Sequence, residues 1–346
     1  MSDKMKALVK TERAPGLHLK MVDIPSIGAD EVLVKVQATS ICGTDYHIYS
    51  WDQWSQEHIN PPLIAGHEFA GEVVEVGSNV NEFSPGDMVS AETHIVCNQC
   101  LQCGMGQKHV CVETSIIGVD VDGCFAEYVA MPAENLWLNS PDLDVAVASA
   151  QEPLGNAVQT TLAGPVAACS IAVVGCGPIG LMSIAVARQC GAAQVIATEV
   201  NPYRIELAET MGADAVIDAS SEPVIERVLD LTDGRGVDGV LEMSGNPTAI
   251  DQSMKMVRPG GRVSLLGIPP ENRISLEVGP DIVLKAVEVK GIAGRKIWET
   301  WHQTRALLDS GLDIEPVLTH QMDLEDFEEG MRLMAEGNCG KVVLIP

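Results

Sequence analysis

Cys97, Cys100, Cys103 and Cys111 place four thiols within fifteen residues, interleaved with Asn98, Gln99, Gln102, Gly104 and Gly106. A lobe so poor in apolar residues cannot fold by burial, whereas four thiolates around one ion can hold it. The spacing therefore predicts a closed, structural zinc site. An iron-sulfur cluster also takes four thiolates, but usually in other spacings. A second set of ligand types is dispersed. Cys42 sits in the stretch Ile41-Cys42-Gly43-Thr44-Asp45-Tyr46-His47, read as a short loop, and the adjacent pair His67 and Glu68 follows about 25 residues later. Together they could supply three of the four bonds of a tetrahedral zinc that keeps one position for water or substrate. Taken singly, a small buried thiol, a structural histidine and a surface carboxylate are the ordinary readings of these residues. Glu152 is the carboxylate in the largely apolar run Val145 to Thr161. A buried carboxylate needs a partner, which a zinc ion or a set of hydrogen-bond donors would provide.

A different chemistry is written into the middle of the chain. The apolar run Ile171-Ala172-Val173-Val174 leads into Gly175-Cys176-Gly177-Pro178-Ile179-Gly180 and then a helical pattern. Strand, G-x-G-x-x-G and helix in that order form the dinucleotide fingerprint: Gly175 allows the tight turn, Gly177 lets backbone approach a pyrophosphate, and Gly180 lets helix and strand pack closely. Pro178 loses no useful donor at a helix start, and the helix N-terminus favours the anion. The next apolar strand ends at Glu199, nineteen residues after Gly180, where an acidic side chain accepts ribose hydroxyls and disfavours the extra phosphate of NADP. Arg204 nearby could meet such a phosphate or stack on adenine. NAD is the expected cofactor.

The elements that must position these groups follow a simple order. From Lys6 to Gly86 short strand-like runs alternate with turn signals, which predicts a mainly β domain. From Ile171 onward β and α patterns alternate, through Ala215–Asp218, Gly239–Glu242, Arg262–Gly267 and Val287–Ile292, as in a parallel doubly wound sheet. Helical patterns over Trp298–Ser310 and Leu324–Ala335 precede a terminal strand, Lys341–Ile345. The expected domains are 1–153 with the zinc sites, 154–293 for the dinucleotide, and 294–346 returning to the first domain and carrying Arg295 near the cleft.

Composition narrows the function further. The 346 residues, 46% hydrophobic and 20% charged, suffice for a two-domain globular chain. Twenty-two Lys and Arg against 48 Asp and Glu give a formal charge of -26, which disfavours nucleic acid and anionic membranes as partners. No basic, apolar leader opens the chain, and the long uncharged run from Pro153 to Ala187 is broken by Pro, Gly and polar residues, so the cytoplasm is the expected compartment and no membrane span is predicted. The ten cysteines fit metal binding and burial better than a disulfide framework in a chain of this length.

With these residues assembled, the chain resembles the medium-chain, zinc-dependent alcohol dehydrogenases over essentially its full length. Cys42-Gly43-Thr44-Asp45-x-His47, Gly66-His67-Glu68, the four-cysteine lobe and the glycine turn stand in that family's order. The resemblance implies a GroES-like mainly β catalytic domain plus a Rossmann domain, and two zinc ions per subunit. Cys42, His67 and Glu68 would hold the catalytic ion, with Glu152 alternating with water or substrate; Cys97, Cys100, Cys103 and Cys111 would hold the structural one. Thr44 and His47 match the family's proton relay. Gly175, Gly177, Pro178, Ile179, Gly180, Glu199, Arg204, Leu266, Gly267, Ile268, Ile292 and Ala293 would line NAD. The stretches Glu92–Cys97, Gln151–Val158 and Gly294-Arg295-x-x-Trp298-Glu299-Thr300-Trp301 are similar to the branch that oxidises the hydroxyl of an amino acid, L-threonine, with His94 and Arg295 as substrate contacts. Polyol, sorbitol and 2,3-butanediol dehydrogenation is the rival within the fold, and a nucleotide-binding protein without chemistry the rival outside it. A homotetramer is the assembly the resemblance implies.

Overall fold

Glu31–Ser40 is the strand from which the metal-ligand region is built. Val32, Val34, Val36 and Ala38 line its buried face, and neighbours flank it on both edges. Glu68–Val76 pairs with it antiparallel from Val32↔Val76 to Ser40↔Glu68. On the other edge Tyr128–Pro132 covers its first half, and the terminal strand Val342–Ile345 covers its last residues through Val343↔Ser40 and Leu344↔Thr39. The far end of the chain thus lies in the same row as Ser40 and Glu68. The sheet has seven strands over a core that includes Val34, Phe69, Val73, Phe125, Met131 and Leu344. This is the expected GroES-like, mainly β domain.

The structure, a computed structural model, describes residues 4–270 and 273–346. Two units can be distinguished: residues up to Glu152 together with Leu318–Pro346, and Pro153–Val317. The second carries a six-stranded, all-parallel sheet in the order Ala215–Asp218, Gln194–Glu199, Ser170–Val174, Val237–Glu242, Val257–Leu265 and Glu288–Gly291. The order runs outward in both directions from Ser170–Val174, the doubly wound arrangement expected for a dinucleotide fold. Buried Ile171, Ala172, Val173 and Val174 explain why that strand reads as a continuous apolar run.

Two basic side chains of this sheet close the carboxyl end of the helix Gln151–Thr161. Arg262 Nη2 donates to Thr161 O at 3.2 Å, where helix carbonyls lack intrahelical partners, and Lys290 Nζ donates to Ala163 O at 2.6 Å just beyond the helix end. The uncharged run from Pro153 to Ala187 is divided among this helix, the strand Ser170–Val174 and the helix Pro178–Gln189. Among the described residues no helix is long and apolar enough to cross a membrane.

The approach to His67 depends on glycine. Gly66 has φ +89°, and a Cβ there would lie 2.2 Å from Phe125 Cδ1; Cβ atoms on Gly118 and Gly123 would fall 2.3 and 2.0 Å from Gly66 O. Replacing Gly66 with Ala combines a strained backbone with overpacking against a buried ring, and should lower stability by about 2–4 kcal/mol. The measurement is the urea midpoint of the whole chain; a variant that melts with the parent would show that Phe125 moves aside freely.

Candidate functional site

Cys42, Asp45, Thr44 and His47 do not lie in a loop. Cys42 is the N-cap of a helix, Gly43–Ser50, and the reason is local: Asp45, three residues on, accepts from Cys42 N at 2.8 Å through Oδ2, as in a capping box. The other oxygen of the same carboxylate, Oδ1, lies 3.5 Å from His67 Nδ1. Asp45 is wholly buried and His67 nearly so. A single carboxylate therefore positions two ligand residues from different segments, and an Asp45 partner on Nδ1 leaves Nε2 of His67 for an ion. Helix Gly43–Ser50 is tied at its other end by buried Lys10, whose Nζ donates to Ile48 O at 2.8 Å; burial lowers the Lys10 ammonium to a pKa of about 8.

The ligand atoms of Cys42, His67 and Glu68 lie within 4.8 Å of one another. Thiolate, imidazole and carboxylate so placed suit a zinc ion. Two further observations fit a cation. Asp45 Oδ1 and His67 Nδ1 are buried and, though they face each other at 3.5 Å, complete no hydrogen bond. Burial alone would depress the His67 imidazole, yet the negative charges of Asp45 and Cys42 carry it well above its ordinary value, so the field here draws positive charge. Glu152, in the first turn of the helix Gln151–Thr161, is 7% exposed and accepts from Thr93 Oγ1 at 3.2 Å. The sequence offered no sign of Lys341, which is 2% exposed and reaches Glu68 Oε1 at 2.8 Å and Oε2 at 2.7 Å.

Thr44 is half-buried at the helix start, and His47 follows one turn later with its ring exposed. His47 Nδ1 lies 2.6 Å from Asp52 Oδ2, and Asp52 also caps the next helix by accepting from Ser55 N at 3.0 Å. His94 begins the short strand His94–Ile95. Its Nδ1 sits 2.7 Å from Oε1 of buried Glu92, while Asn135 Nδ2 donates to the carbonyls of Glu92 and His94 at 2.7 and 3.0 Å. Thr93 between them turns to Glu152, so one edge segment serves both a predicted ligand and a predicted substrate contact.

In the four-cysteine lobe all four sulfurs lie within 4.8 Å of one another. Backbone amides of Cys103 and Val112 pull the Cys100 thiol down to about 6, whereas burial pushes Cys103 up to about 12. Leu101, Met105 and Val112 stay exposed, so the lobe has no apolar core to hold it. Four converging sulfurs with backbone donors match a closed zinc site.

In the other unit Gly175 has φ +88°, Gly177 is the N-cap of the helix Pro178–Gln189, and a Cβ on Gly180 would lie 2.0 Å from Gly175 O. Gly175 makes the tight turn and Gly180 the close packing that their positions predict, and the space beside Gly177 is open. Ile179 lies in the first turn of that helix, and Arg204 lies in the helix Pro202–Thr210. Glu199 does more than end its strand: Oε2 accepts from Cys176 N at 2.7 Å, and Oε1 from Val200 N and Asn201 N at 2.7 and 3.0 Å. It anchors the glycine turn. Leu266 and Gly267 donate backbone N–H to Glu242 O at 2.9 and 3.1 Å, Ile268 is exposed, and Ile292 N donates to Leu265 O at 2.9 Å just before Ala293. Arg295 is 1% exposed, with Nη1 3.4 Å from Asn156 Oδ1 and the guanidinium 5.9 Å from the Trp301 ring. In this conformation it braces a wall of its unit.

Residues 28–142 match the alcohol dehydrogenase GroES-like domain and residues 178–310 the zinc-binding dehydrogenase domain. An L-threonine 3-dehydrogenase of Bacillus licheniformis is 54% identical, with all of both chains covered. Among solved structures, an alcohol dehydrogenase of Thermus sp. ATN1 superposes with TM-score 0.90 at 30% identity, covering 99% of each chain. The 2R,3R-butanediol dehydrogenase of Bacillus subtilis gives 0.89 at 28%, again covering 99% of each.

If the lobe is held by metal, Cys103→Ser should reduce bound zinc from two ions per chain to one and open residues 97–112 to trypsin at Lys108, since nothing apolar replaces the lost bond. Zinc analysis with limited proteolysis reads both; two retained ions and an intact lobe would exclude the assignment.

Proposed function

Because the chain belongs to the zinc-dependent alcohol dehydrogenase family, we propose that it oxidises the secondary hydroxyl of L-threonine to 2-amino-3-ketobutyrate with NAD as hydride acceptor. The observation that carries the choice of substrate is the similarity, end to end, to an L-threonine 3-dehydrogenase, far above that to the butanediol enzyme of the same fold. Zinc bound by Cys42, His67 and Glu68, with Glu152 beside them, would polarise the substrate hydroxyl as a Lewis acid and lower its pKa.

The chain's own residues do the rest. Thr44 offers a hydroxyl within the half-buried first turn, and His47 stands one turn on at the surface. With Nδ1–H given to Asp52, the His47 ring keeps Nε2 as the proton acceptor. A proton taken up there has solvent beside it. Glu199 disfavours a phosphorylated ribose because its carboxylate is held facing the glycine turn by three backbone amides. For the amino-acid end of the substrate, Glu152 is the group suited to the ammonium, and His94 the one suited to the carboxylate, since Glu92 on Nδ1 leaves Nε2 to donate when the ring is protonated. Arg295, whose Nη1 lies 3.4 Å from Asn156 Oδ1, is the second candidate for the carboxylate. The assembly we infer is a homotetramer in the cytoplasm, supported by the family resemblance; sedimentation at four times the 36.8 kDa chain mass would agree with it.

The test is NADH formation across L-threonine, 2,3-butanediol and sorbitol. Turnover per KM should be highest with threonine by at least about a hundredfold, the scale at which buried polar partners discriminate. In His94→Ala the KM for threonine should rise at least about tenfold, with a smaller change for the diol. Equal turnover of diol and amino acid would replace this reading with a polyol or diol dehydrogenase.

A further inference from the structure

A lysine ammonium has three N–H groups, and Lys341 places all three: on Glu68 Oε1 at 2.8 Å, on Glu68 Oε2 at 2.7 Å and on Ile41 O at 3.1 Å. Ser40 Oγ donates to Glu68 Oε2 as well. The Glu68 side chain is 0% exposed and that of Lys341 3%, so the pair is shielded from solvent. Strand register produces the contact, since Ser40 opposes both Glu68 and Val343, the second residue after Lys341. The carboxylate that would ligate zinc is therefore already bonded through both oxygens to a fixed cation and, through one, to a hydroxyl.

We propose that Lys341 is a positioning residue of the metal site, which holds Glu68 as a weak, displaceable ligand and so keeps a coordination position available to substrate. This rests on reading Cys42, His67 and Glu68 as a metal site. The usual outer partner of a metal ligand accepts a hydrogen bond and makes the ligand more basic. Lys341 has the opposite sign. It withdraws negative charge from Glu68, and its own charge opposes that of the ion across a desolvated gap, where such repulsion is little screened. Among the hydrogen bonds of Lys341 none goes to Cys42 or His67; the Cys42 side chain meets the weaker backbone N–H of Asp45, and the Asp45 carboxylate faces His67. The three ligands are thus graded, two firm and one loose.

The test is zinc release from the fully loaded enzyme to a chromogenic chelator, with the four-cysteine site as internal reference. In Lys341→Met the ion at Cys42, His67 and Glu68 should leave at least about tenfold more slowly than in the parent, the other site should be unchanged, and kcat with threonine should fall because Glu68 now competes with substrate. Lys341→Gln, which keeps a donor on Glu68 without the charge and buries more easily, should move the same way, and Lys341→Arg should stay near the parent. A merely structural lysine predicts the reverse, since loosening the site speeds release. Release that is unchanged or faster in both neutral variants overturns the proposal. A parent that binds one zinc per chain overturns the metal-site reading itself, and the two failures are distinguished by that count.

Discussion

Desolvated negative charge is the constraint around which the first unit is arranged. Cys42, Asp45, Glu68 and Glu152 come from three segments, and Asp45 and Glu68 are wholly buried. Anions taken out of water must be neutralised or hydrogen-bonded. Each has found a specific answer: Asp45 binds the Cys42 amide and faces His67, Glu68 meets Lys341 and Ser40, and Glu152 takes the Thr93 hydroxyl. What these contacts leave over is a concentrated field that suits a divalent cation. The strands Glu31–Ser40, Glu68–Val76 and Val342–Ile345 are the frame that makes so costly a cluster sustainable, because their pairing sets Glu68 beside Ser40 and the chain leading from Lys341.

The second unit solves a smaller version of the same problem. Glu199 and Glu242 both end strands of the parallel sheet, and both are buried and occupied by backbone amides of the turns that follow. Burial raises the Glu242 carboxyl, and the Ser244 and Gly245 donors work against that rise. Acidic residues at the carboxyl ends of the two strands that flank Ser170–Val174 therefore shape the turns that follow them. Glu199 ties two turns together, since one oxygen secures Cys176 within the glycine turn and the other takes the amides of Val200 and Asn201.

The four-cysteine lobe, the glycine turn and the Cys42, His67 and Glu68 set were legible because their chemistry depends on residue type and short spacing. Two local features escaped. Cys42-x-x-Asp45 is a capping pattern that marks a helix start, and reading the stretch as a loop missed it. Asp52 carries no signal in the sequence; its dual use, on His47 and on the following helix, depends on how the two helices turn against each other at Trp51.

By itself the sequence determined the two chemistries, a metal-ligand set and a dinucleotide turn, and the β and α/β character of the segments that carry them. Periodicity and motif spacing are local properties, and they survive in one dimension. Only the tertiary structure decided how those ligands are graded. Lys341 reaches Glu68 across 273 positions of chain, and no pattern of residues near either one announces the other. The contact exists because strand pairing sets the register of the last strand against Ser40, and register is decided by packing of the whole sheet.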